Sequence, residues 1–154
     1  NAPFIQTKTI SADATLEDVD SGKVILMGVN GVDITLPACE EGLSFTIIQT
    51  ADYDSAVCTI VQASATDDFV GAIYGTTQGE SAGTDGDVAA NTNTKITFTS
   101  ASLKGDRVKL VSDGTVWYVE AFAQNVGAIT FDDYILIPSS EGVGIYYGKS
   151  NIKI

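Results

Sequence analysis

Apolar residues in this chain alternate with polar ones at a period of two and rarely recur at a helical period. From Lys23 to Leu36 the apolar positions are Ile25, Met27 and Val29, then Val32, Ile34 and Leu36, with Asn30-Gly31 between the two runs. Asn-Gly between alternating runs predicts a two-residue hairpin, because both turn residues then need positive φ. That turn would pair Val29 with Val32, Met27 with Ile34 and Ile25 with Leu36, with all six on one buried face. Pro37 cannot donate to a ladder and ends the second run.

A second hairpin is predicted around Asp113-Gly114. It pairs Leu110 with Trp117, Val108 with Val119 and Arg107 with Glu120. Val108, Leu110, Trp117 and Val119 read as core, and Arg107, Lys109, Tyr118 and Glu120 as the outer face. Trp117 could also serve as a ligand-stacking platform, but its alternation with Val119 favours core. Strands are further predicted over 45–49, 57–61 and 95–99, each rich in β-branched or aromatic residues. No helical periodicity runs beyond about one turn.

The expected architecture is therefore all-β, about eight to ten strands in an antiparallel, jelly-roll-like sandwich. Residues 1–126 form this domain, with an apolar N-terminal arm at 1–8. Residues 63–93, with glycines at 71, 75, 79 and 83, read as a long exposed excursion carrying a short strand at Phe69–Tyr74. Residues 127–154 read as a β-meander that either adds an edge to the sandwich or packs between subunits. Three of the six tyrosines lie there, and Tyr134, Ile135, Tyr146 and Tyr147 are the candidate subunit-interface residues. Pro3, Phe4 and Ile5 are apolar for a chain end and form a candidate docking arm.

At 154 residues, folding buries about 70% of the unfolded chain's surface, enough for a core without metal or disulfide staples. There is no histidine, which excludes Ser-His-Asp and Cys-His nucleophile systems and His-ligated zinc or haem. The two cysteines, Cys39 and Cys58, have a spacing that fits a bridge or two thiols; two cysteines without an export signal favour thiols. Neither has a cationic neighbour in sequence to lower its pKa.

Twenty acids against eight bases give a net charge of -12, the wrong sign for nucleic acid or for an anionic membrane surface. No run of 18 apolar residues is present. Between Lys23 and Lys95 there are ten acids and no base, either a solvated face or an anionic patch for a basic partner or for Ca²⁺. Asp85 and Asp87 are close enough in sequence to share a calcium ion but lack the later glutamate of an EF-hand loop. The carboxylate pairs Glu40-Glu41, Asp67-Asp68 and Asp132-Asp133 fit the residue types of glycoside hydrolysis, yet neighbours on a strand point to opposite faces. The chain is expected to be non-enzymatic and to need no cofactor.

Two segments carry a family resemblance. Val32-Asp-Ile-Thr-Leu-Pro-Ala38, followed by Glu41-Gly-Leu-Ser-Phe-Thr-Ile-Ile48, resembles a strand, Leu-Pro-Ala and aromatic-strand pattern in β-modules of tailed-bacteriophage virion proteins. Gly105-Asp-Arg-Val-Lys-Leu-Val-Ser-Asp-Gly-Thr-Val-Trp-Tyr-Val119 is similar to a hairpin of the same modules. The matching residues are turn and core residues, among them Pro37, Asp113, Gly114 and Trp117. A fibre module is usually one piece of a longer chain, so this length favours a head-decoration (cement) protein. The resemblance implies an acidic homotrimer on the capsid exterior, assembled in the host cytoplasm and bound to the major capsid protein. The alternative is a carbohydrate- or receptor-binding module of a tail fibre or adhesin, with Tyr118, Tyr146 and Tyr147 as stacking aromatics.

Overall fold

A computed structural model describes residues 4–52, 57–75, 85–88, 94–132, 134–139 and 142–147, with the strands over 85–88, 134–139 and 142–147 as backbone. The strands in chain order are β1 (Thr7–Ile10), β2 (Ala14–Thr15), β3 (Val24–Met27), β4 (Asp33–Thr35), β5 (Glu41–Gln49), β6 (Cys58–Val61) and β7 (Phe69–Gly75). They continue with β8 (Asp85–Val88), β9 (Lys95–Phe98), β10 (Arg107–Asp113), β11 (Trp117–Ala123), β12 (Ile129–Asp132), β13 (Tyr134–Ser139) and β14 (Gly142–Tyr147). One 3-10 turn spans Asp18–Asp20. A seven-stranded sheet, β1-β3-β5-β10-β11-β7-β8, packs on a five-stranded sheet, β12-β9-β6-β4-β2, and β13-β14 form a two-stranded sheet of their own. The fold is an all-β sandwich, as the alternation predicts.

Its pairing is mixed rather than antiparallel. β1, β3 and β5 stack in parallel in the large sheet, and β2, β4 and β6 do the same in the small one. The pairs β1–β2, β3–β4 and β5–β6 therefore form three stacked rungs, each with one strand in either sheet. The rungs put like positions in columns: Ile25 beside Ile47, Ile10 beside Met27, and Ala14, Ile34 and Ile60 in a row. Parallel strands buried between packed layers need such runs of apolar residues.

The predicted Asn30-Gly31 hairpin is not formed. β3 lies in one sheet and β4 in the other, so Met27 and Ile34 do not pair in a ladder. Gly31 has φ +73 and turns the chain as an arch between the sheets. Ile25, Met27, Val32, Ile34 and Leu36 are nonetheless buried and Val29 packs against them. An arch and a hairpin both aim alternate residues at the core, and the pattern does not distinguish them.

The second hairpin forms with the predicted faces and a shifted register. Leu110 pairs with Val119, Ser112 with Trp117, Lys109 with Glu120 and Arg107 with Phe122. Asp113 N–H donates to Val116 O, so Gly114-Thr115, not Asp113-Gly114, is the loop. The cause is the Asp113 side chain: its Oδ1 accepts from Thr115 N at 2.8 Å and Val116 N at 3.0 Å, an Asx turn that needs the aspartate ahead of the loop. Because the shift keeps parity, Trp117 stays fully buried, tilted against Phe45 with ring centroids 5.8 Å apart.

The predicted excursion at 63–93 is in part sheet. β7 pairs in parallel with β11, and β8 pairs with β7. Phe69 and Ile73 are core residues, so this segment is not an exposed loop throughout. At Gly71, φ is +152 and a Cβ would fall 1.9 Å from Val119 O, so only glycine lets these two strands meet. β12, the first strand of the predicted C-terminal extension, is the edge of the five-stranded sheet, with Ile129 buried.

Candidate functional site

Three surfaces hold the residues that the sequence singles out or that the fold brings together. The first is the end of the rung stack. Among the described residues β1 and β2 are the outermost strands of their sheets, so one end of the sandwich is formed by the outer edges of these two strands. The chain leads into β1 through Phe4, 96% exposed, and Ile5, 73% exposed. Pro3 lies outside the described residues.

This end rung is held by charge. Lys8 sits in the column occupied by Ile25 and Ile47 in the next two rungs. Its ammonium meets Asp20 Oδ2 at 2.5 Å, and Lys23 meets Oδ1 at 2.9 Å. Glu17 N–H donates to the same carboxylate at 3.2 Å. Burial of Asp20 opposes its charge, but the hydrogen bonds from Lys8, Lys23 and the Glu17 backbone outweigh that and hold the pKa at about 2. Nothing in the sequence marked this trio, because Lys8 and Asp20 meet only through the rung geometry.

The second surface is the turn of the β10–β11 hairpin. Asp113 accepts from Thr115 and Val116 and from the Tyr118 hydroxyl at 2.9 Å. These bonds, the Thr115 hydroxyl first, pull its carboxyl well below the usual carboxylate range and push the Tyr118 phenol up. Cys39 is half-buried nearby; burial pushes its thiol pKa up, as do the carboxylates of Asp67, Asp113 and Asp68, against a hydrogen bond to Ser112. Such a thiol is a poor nucleophile. Cys39 and Cys58 are both free.

None of the three carboxylate pairs has both members on one described strand. Asp67 is buried and accepts from Cys39 N at 3.3 Å, while the backbone carbonyl of Asp68 accepts from Trp117 N. Glu40 precedes β5 and Glu41 begins it. Asp132 takes a 2.6 Å hydrogen bond from Thr97; Asp133 lies outside the described residues. Asp85 and Asp87 fall on β8, opposite Gly75 and Ile73 in register. Among the described residues no group of three or more acid or thiol ligands converges on one point. Asn30 and Gly31 are exposed at the arch and Pro37 follows β4. Tyr134 pairs with Tyr147, and Ile135 with Tyr146, in the β13–β14 hairpin.

The third surface was legible in part: Arg107, Lys109, Tyr118 and Glu120 were expected on it, but not Tyr74 and Phe122. On the outer face of the seven-stranded sheet, Arg107, Phe122 and Tyr74 stand side by side across β10, β11 and β7. The guanidinium of Arg107 lies 5.1 Å from the Phe122 ring centroid. On its other side Phe122 stacks with Tyr74 at 5.6 Å and an interplanar angle of 23°. The next row is Lys109, Glu120 and Ala72; the next is Val111, Tyr118 and Val70. Gly71, Ala72, Tyr74, Glu120 and Phe122 line an open depression of about 530 Å³. Tyr118, predicted on this face, is half-exposed here; Tyr74 and Phe122 were hidden because β7 and β11 are 48 positions apart, as in Phe69 against Trp117.

No helix among the described residues is long and apolar enough to cross a membrane. The chain matches no family model, no curated protein and no solved structure.

Proposed function

We propose that the chain is a structural protein of a tailed-phage virion that decorates the capsid by docking on the outer surface of assembled shell subunits. The observation that carries this reading is the apolar arm, Phe4 and Ile5, exposed beside the open edge of β1. Two exposed large apolar residues leading into the outermost strand of a sheet fit strand addition and apolar anchoring on another protein. The family resemblance of 32–48 and 105–119 supplies the virion context. The net charge of -12 turns the module away from packaged nucleic acid and from membranes.

Decoration then works by mass action. A module that binds only the assembled shell stabilises it by about 2.7 kcal/mol per site at a hundred times Kd. The β13–β14 hairpin, with tyrosines paired at its open end, is assigned to self-association as a trimer, since a two-stranded sheet is marginal alone.

Deleting residues 1–5 tests the reading. The truncated protein should keep its thermal unfolding midpoint and lose occupancy on particles lacking the native protein. Unchanged occupancy refutes the role of the arm.

A further inference from the structure

We propose that the depression over Ala72, between Tyr74, Phe122 and Glu120, is a binding site for a neutral saccharide. The site is built by cross-strand register and does not depend on the docking arm.

Four observations on that face carry the proposal. The ladder Arg107–Phe122–Tyr74 has its next position across the sheet at Gly86, which pairs with Tyr74 and has no side chain to continue the stack. Tyr74 is 45% exposed, so a ring-sized ligand face can extend the ladder where the protein stops. Beside it Ala72 gives a small floor in a row with Glu120 and Lys109. Glu120 makes no hydrogen bond or ion pair among the described residues, so its carboxylate is available to accept from two hydroxyls.

Charge decides the ligand class. The three ionic side chains on these rows are Arg107, Lys109 and Glu120, a local surplus of one positive charge in a protein of net charge -12. Glu120 alone gives the lining of the depression a charge, Arg107 and Lys109 on the adjoining positions offset it, and Arg107 already covers one face of Phe122. Anionic sugars meet the field of the whole protein and the Glu120 carboxylate. A neutral polyol ring supplies both hydroxyl donors for Glu120 and acceptors for Lys109, with an apolar C–H face for Tyr74. Tyr118 lies four residues from Phe122 on the same strand, about 13 Å away at 3.3 Å per residue, which sets a second platform at the span of a short oligosaccharide.

The test is amide chemical-shift titration of the folded chain with neutral di- and tetrasaccharides of glucose, galactose and mannose, each to about 10 mM. The expected result is saturable shifts at Ala72, Tyr74 and Glu120 with one of them. Tyr74→Ala should then weaken binding about tenfold. Glu120→Gln, which keeps the side-chain shape, should weaken it several-fold and keep the thermal midpoint, while Tyr74→Ala, which also loses the Phe122 stack, should lower the midpoint by only a few degrees. Particle occupancy of Tyr74→Ala should be unchanged, which separates this site from the arm. No shifts with any neutral sugar, shifts only with choline or an arginine peptide, or binding unaffected by both variants would each overturn the proposal.

Discussion

The rung half of the molecule, residues 7–61, and the hairpin half, β10 and β11, begin from the same sequence signal and end in different structures. Each has alternating apolar residues on both sides of a glycine turn. At Gly114 the strands fold back and share a ladder; at Gly31 they separate into opposite sheets and face each other through the core. Alternation reports which side chains face inward. Partner choice comes from what the neighbouring strands offer: β3 finds β1 and β5 on its two edges and has none left for β4.

The difference can be broken at its seam first. Gly71→Ala forces a Cβ into Val119 O, where β7 meets the hairpin, and should cost about 3 kcal/mol or more in urea unfolding, or prevent folding. A normal midpoint would mean that β7 and β11 do not approach as described.

Asp106 joins the two halves and is next in size. It is buried, accepts from Leu103 N and Gln124 N, each at 2.9 Å, and its carbonyl accepts from Gln49 N at the end of β5. Asp106→Ala orphans two backbone donors and should cost about 2–4 kcal/mol in the same assay.

Acid should loosen the rung half through Asp20. Asp20 has a folded pKa of about 2 against an ordinary value of 3.8, so its stabilisation is complete above pH 3.8 and is lost as pH falls toward 2. Allowing for screening at the partly exposed lysines, that is about 1–2 kcal/mol. Asp20→Asn should flatten the stability profile across that window; an unchanged slope would exclude the trio as its source.

The smallest test separates arch from hairpin directly. One glycine inserted after Gly31 lengthens the five-residue connection 28–32 to six and should cost about 0.2 kcal/mol. The same insertion after Gly114 breaks a two-residue loop in register and should cost about 1–2 kcal/mol. Equal costs would contradict the assignment of β3 and β4 to different sheets.

These comparisons also show what was legible in the sequence. Trp117, Leu110, Ile34 and Met27 were readable as core because burial follows local alternation. The all-β class followed from the same signal. The stacked rungs were not readable, since nothing in 24–27 states that it will lie beside 46–49. The candidate surfaces divide in the same way. Phe4 and Ile5 stand out as apolar residues at a chain end, whereas the Arg107–Phe122–Tyr74 row exists only once β7 has joined β11.

The central claim is that this module binds an assembled shell, and its copy number on purified phage particles tests that most directly. Quantitative mass spectrometry should find copies comparable to the main shell subunit, falling when residues 1–5 are deleted. Absence from particles, or a few copies per particle, would contradict capsid decoration.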